Sequence, residues 1–141
     1  MTIVARRNPV ARAFTLIELI AVIVVLAILA GVAIPKYFDY AANAKNSSTK
    51  GTLGGVRSAI ANFYANKAAT ATAAYPTLTE LQTVGTVMQE PISANPFNND
   101  ATIAAAAWAA TPPVAGTNGW NYDVSVGRFW CNSATNGANT W

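Results

Sequence analysis

The chain predicts an α+β fold, with one long N-terminal α-helix followed by a small C-terminal head built on an antiparallel sheet. Three features predict it. From Phe14 to Ile34 the sequence is apolar, interrupted only by Thr15 and Glu18. Helically spaced apolar residues then continue to about Lys67. From Trp120 onward apolar and polar residues alternate with period two, the pattern of a strand with one buried face.

The run from Phe14 to Ile34 is long enough for a helix to cross a hydrocarbon layer of roughly 30 Å. Residues 1–13 carry Arg6, Arg7 and Arg12 and no acid, which by the positive-inside rule holds that end in the cytoplasm and sends the remainder outward. A secretory signal peptide cut near Gly31-Val32-Ala33 is the competing reading, but the run is too long for one and holds Glu18 near its start. An ionised carboxylate in such a segment costs about 2.5 to 3.5 kcal/mol at the bilayer centre and less near an end. No base within the run pairs with it. The bland alternative is an interfacial glutamate reaching for water.

Pro35 lacks the backbone donor that would bond the Gly31 carbonyl, so a helix break is expected over Gly31 to Pro35. A mild kink without a role is the plainer reading. Beyond it, Tyr37, Tyr40, Ala41 and Ala44, then Leu53, Val56, Ile60 and Phe63, extend an apolar stripe that something must cover. Gly51, Gly54 and Gly55 each cost up to about 1 kcal/mol relative to alanine, so packing must hold this half. Unbroken from Phe14 to Lys67, the helix would be about 80 Å long.

Ala68 to Ala74, ending at Tyr75-Pro76, reads as a helix exit and loop. Thr77-Leu-Thr-Glu80-Leu-Gln predicts a short helix capped by Thr77 or Thr79. Pro91, Pro96 and Asn98-Asn99 end regular structure beyond that helix, and Ala101 to Ala110 fits helix or loop. Trp120, Tyr122, Val124 and Val126 define one strand face, with Asn121, Asp123 and Ser125 opposite. Gly127-Arg128 turns into Phe129-Trp130-Cys131, and Asn118-Gly119 turns into the first strand, giving a hairpin. A small head has little core for its surface, so its sheet should lie on the amphipathic half of the long helix. Trp108, Trp120, Tyr122, Phe129 and Trp130 are the expected core. A ligand platform made of them is disfavoured because no polar groups converge there.

Nine basic and six acidic side chains give a net charge of +3. The excess is the three arginines ahead of Phe14, which makes the basic balance weak evidence for nucleic-acid binding. Past Phe14 the charges balance but separate: Lys36, Lys45, Lys50, Arg57 and Lys67 face only Asp39 in the helix, whereas Glu80, Glu90, Asp100 and Asp123 face only Arg128 in the head. Attraction between a basic stem and an acidic head of different copies is one reading; scattered solvated charges are the other. The chain has no histidine, phosphate loop or nucleophile constellation, which excludes the common enzyme classes. Cys131 is the one cysteine, so no intrachain disulfide forms. A buried small hydrophobe is its expected role, with an intermolecular disulfide as the other reading.

Arg12-Ala13-Phe14-Thr15-Leu16-Ile17-Glu18-Leu19, behind a short basic leader and followed by Pro35, resembles the prepilin family of type IV pilins and type II secretion pseudopilins. The resemblance covers Arg12 to about Tyr40. It implies a pilin-like lollipop divided into a cleaved leader (1–13), a transmembrane and filament-core helix (14–35), an amphipathic helical half (36–67) and a head (68–141). It implies that a prepilin peptidase cuts between Ala13 and Phe14 and methylates the Phe14 amine, with Ala13 standing where the family usually has glycine. Glu18 would then pair with the Phe14 amine of a neighbouring subunit, and the helix would unwind locally over Gly31 to Pro35 in the fibre.

The implied protein is a structural subunit, inserted in the inner membrane with its head outside the cytoplasm. It would self-assemble into a helical filament, a periplasmic pseudopilus or an extracellular pilus, with a platform protein and an assembly ATPase as partners. A minor pilin acting as a binding module for DNA or a surface is the alternative reading. No cofactor is implied. Many type II pseudopilins hold calcium in a region similar to Tyr75-Pro76 through Gly127, but Asp100 and Asp123 are the only local aspartates, and no metal is expected. The cysteine pair of many type IV pilins is missing.

Overall fold

Thr15, the last residue before helical geometry sets in, caps helix α1 (Leu16–Thr70) in a computed structural model that describes residues 14–141. The basic leader and Ala13 lie outside the described residues. The helix runs through Gly31 and Pro35 without interruption; one missing donor leaves the neighbouring rungs of the ladder intact, and the break expected there is not present in the isolated chain. The described residues divide into two compact units between Tyr40 and Ala41.

The first unit is the apolar start of α1. Its large side chains are exposed, from Leu16 at 75% through Ile28 at 65% to Ile34 at 57%, and its most apolar stretch reaches a mean hydropathy of 3.0. By length and composition it is able to cross a membrane.

In the second unit, α1 buries Thr49, Leu53, Val56 and Ile60, spaced three and four apart on one face. Against them lies a three-stranded sheet in the order β1 (Ile103–Ala105), β2 (Trp120–Asp123), β3 (Arg128–Cys131). The hairpin β2–β3 is antiparallel, pairing Trp120 with Cys131, Tyr122 with Phe129 and Asp123 with Arg128. Strand β1, in the alanine-rich stretch left open by the sequence, is parallel to β2 with Ile103 opposite Trp120. The sheet is therefore mixed rather than antiparallel throughout. Parallel neighbours need a long crossover, supplied by residues 106–119.

Trp120, Tyr122, Phe129 and Cys131 are all fully buried and form the core with Leu53, Val56 and Ile60, each large side chain contributing about 1.5 to 3 kcal/mol. Val124 and Val126 do not join them: β2 ends at Asp123, and both remain exposed in the turn. The opposite sheet face, expected to be solvated, is covered by the crossover. Asn121 is buried and donates to the Pro113 carbonyl at 3.3 Å, as does the Trp130 indole at 3.0 Å. Trp108, expected in the core, is half-buried on this second face and packs edge-on to Trp130 at 5.3 Å. The short helix α2 (Leu78–Gln82) starts at Thr77 in a capping box with Glu80 and buries Leu81.

Candidate functional site

The first turn of α1 is built by the polar pair that interrupts the apolar run. Thr15 donates twice to Glu18 Oε2, from its backbone N–H at 2.8 Å and from its hydroxyl at 2.7 Å. The Glu18 N–H returns a bond to Thr15 Oγ1 at 3.3 Å, closing a reciprocal capping box. Two donors that a helix start would otherwise leave unpaired are thereby satisfied within the apolar segment. The same Thr-Leu-X-Glu-Leu sequence at Thr77 to Leu81 makes the same box with nearly the same distances. Thr15 is the residue that sequence reasoning passed over; the Thr-x-x-Glu spacing ahead of an apolar run was its signal.

Both Thr15 bonds fall on one oxygen, and Glu18 Oε1 accepts no hydrogen bond among the described residues. The carboxylate is thus oriented by its own helix with half of its accepting capacity open. Phe14, immediately ahead of the cap, is 82% exposed. The arrangement brings Phe14, Thr15 and Glu18 to the start of α1, ahead of a stretch with no other charge up to Lys36, while Gly31 and Pro35 lie inside the helix with open space where a Gly31 side chain would stand.

Asp100 and Asp123 of the head serve local turns. Asp123 accepts from the Ser125 hydroxyl at 2.6 Å and the Trp108 N–H at 2.6 Å. Asp100 accepts from the Thr102 hydroxyl and from its N–H. These bonds hold both carboxyls below the usual range, the hydroxyl contribution leading in each. Among the described residues no group of three His, Cys, Asp or Glu is gathered for a metal. Arg57, half-buried, donates from Nε to the Phe129 carbonyl at 2.9 Å and from its terminal nitrogen to the Trp141 carbonyl, tying α1 to the last residues. Burial and then the nearby Arg128 charge push its pKa down. Cys131 is buried and accepts from Asn95 Nδ2 at 3.2 Å.

Residues 9–34 match the family model for the prokaryotic N-terminal methylation motif. The chain carries that motif. It is 34% identical over 58 residues to the fimbrial protein EcpC of Eikenella corrodens, a span covering 41% of this chain and 38% of that protein. It is 41% identical over 64 residues to the type IV major pilin protein PilA of Myxococcus xanthus, covering 45% of this chain and 29% of that one. The match thus spans well under half the length of these curated relatives. No solved structure gives a significant match. The long helix, the small mixed sheet and the motif together make the chain type IV pilin-like.

Proposed function

We propose that this chain is a structural subunit of a type IV pilus-like or pseudopilus filament. It enters the inner membrane as a precursor, a prepilin peptidase cuts between Ala13 and Phe14 and methylates the new amine, and the apolar stem carries the mature subunit into a helical fibre. The observation that carries this reading is the capping box at Thr15 and Glu18. A carboxylate in an exposed stretch that holds no other charge from Phe14 to Ile34 is expensive in a membrane unless it meets a cation, and cleavage creates one on Phe14, beside the box. Glu18 Oε1 is open to an amine from a neighbouring copy, whose pairing would fix the register of the incoming subunit. The exposed run from Leu16 to Ile34 supplies the apolar surface that lipid covers before assembly and other stems cover afterward.

Intact mass and N-terminal sequencing of the protein from its native membrane test the reading. A chain starting at methylated Phe14 is the expected result. An intact leader, or a start at Ile34, overturns it.

A further inference from the structure

The charges of the described residues divide by what they touch. Glu80, Asp100 and Asp123 hold turns or caps, whereas Glu90 makes no side-chain hydrogen bond among the described residues. On the helix, the Lys50 ammonium lies 4.6 Å from the Trp141 ring centre and that of Lys67 lies 5.3 Å from the Phe63 ring centre, and Arg57 binds carbonyls. Lys36, Asp39 and Lys45 have no such partner among the described residues, and of the two lysines Lys36 is the one set a helical turn from an exposed aromatic side chain. It shares a helix face with Tyr40, four residues on, and Tyr40 is 69% exposed with no aromatic neighbour there, unlike Tyr37, which packs edge-on to Phe38.

Glu90 stands on the rim of a cavity of about 220 Å³ walled by Leu81, Val84, Met88, Ile92 and Ile103. This is below the range of about 300 to 1,000 Å³ usual for small-molecule sites, and is of a size for one aromatic side chain. We propose that this groove receives Tyr40 of a second copy, with Lys36 of that copy set against Glu90. The inference rests on the filament reading above. Charge complementarity selects the occupant: the groove's one charge is negative, and the exposed aromatic it would take travels with an unpartnered cation. The two surfaces differ, so the contact is heterologous, the class from which helical fibres are built when the repeated rotation does not close into a ring.

The test uses the full chain in its assembling host, with sheared fibres as the readout and Glu18→Ala as a parallel control. Glu90→Lys and Lys36→Glu should each lower fibre yield severalfold while membrane levels hold, and the double variant should recover it. Lys36→Cys with Glu90→Cys should give disulfide-linked oligomers in fibres, neither single variant doing so. Singles that assemble normally, a double that recovers nothing, or absent cross-links would overturn this contact, and the filament reading would still stand if Glu18→Ala removes fibres. Should Glu18→Ala assemble undiminished, the filament reading fails at its own residue, independently of the groove.

Discussion

Thr15 and Glu18 hold one another through a single carboxylate oxygen, with both Thr15 donors on Glu18 Oε2 at 2.7 and 2.8 Å. The pair separates two duties that the sequence alone merges into one glutamate. One oxygen starts the helix; the other remains for a partner.

Glu18→Ala is therefore expected to leave expression and membrane insertion intact while removing subunits from sheared fibres, checked by immunoblot of cell and shear fractions. Thr15→Ser keeps a hydroxyl acceptor and donor and should assemble. Thr15→Ala loses the cap, worth about 1 kcal/mol, and lets Glu18 rotate freely. Its fibre yield should fall between the two, and a yield equal to wild type would show that orientation by Thr15 is dispensable.

The helix was legible because its signals are local: an uncharged run, then an apolar stripe from Leu53 to Ile60 that the structure buries on one face. Thr77 and its glutamate announced α2 the same way. Strand β1 was not legible. Ile103-Ala-Ala has no alternation of its own, and its place beside Trp120 is set by a crossover whose path depends on distant partners. Alternation alone points Asn121 outward for a like reason, since the loop that covers it folds back from residues 112–118. At the candidate site, Phe14 and Glu18 stood out as motif residues, while Thr15 was hidden by looking ordinary.

Glycine at two positions is required by contacts rather than by flexibility. A Cβ on Gly119 would lie 1.8 Å from the Asp100 carbonyl oxygen, which itself accepts the Asn95 N–H at 2.8 Å. Gly127 has φ +65° and would meet the Tyr75 ring at 2.3 Å. Gly119→Ala must displace backbone and should cost about 3 kcal/mol or more; Gly127→Ala adds strain of about 1 to 3 kcal/mol to a displaced ring. Denaturant melts of the full chain in detergent should rank Gly119→Ala below Gly127→Ala, with Gly54→Ala, which meets nothing within 4 Å, at or above wild type.

Alkali should loosen the head through two buried groups. Burial raises the Tyr122 phenol to about 12, aided by the Asp123 charge, and raises the Cys131 thiol to about 11. Each folded-state value lies above the unfolded one, so the protonated form carries the stability. That contribution is whole below about pH 7.5, where neither unfolded group has begun to ionise, and is lost as pH rises from there through 11 and 12, the cysteine share first. Thermal melts should hold level to about pH 8 and then fall. Tyr122→Phe should be less stable near neutrality by about 1 kcal/mol, through loss of the 2.8 Å bond to the Pro76 carbonyl, but should decline less steeply in alkali.

Asparagines do in this head what a disulfide would do for a loop near the chain's end. Asn132 accepts from the Ala115 N–H at 3.0 Å and from Asn121 at 3.1 Å, and donates to the Ala115 and Asn118 carbonyls at 2.9 and 2.7 Å. Asn139 adds a bond to the Pro112 carbonyl at 2.8 Å. The crossover from Pro112 to Asn118 is thus fastened to β3 and the last residues without a covalent link. Asn132→Ala would strip partners from buried donors and acceptors at once, for a loss of about 2 to 4 kcal/mol. Hydrogen exchange should locate the damage: amides of residues 114–121 should lose protection in Asn132→Ala, while the α1 amides from Thr49 to Ile60 keep theirs until global unfolding. Equal loss across both segments would mean that the loop and the helix face unfold as one unit and that the clamp has no separate role.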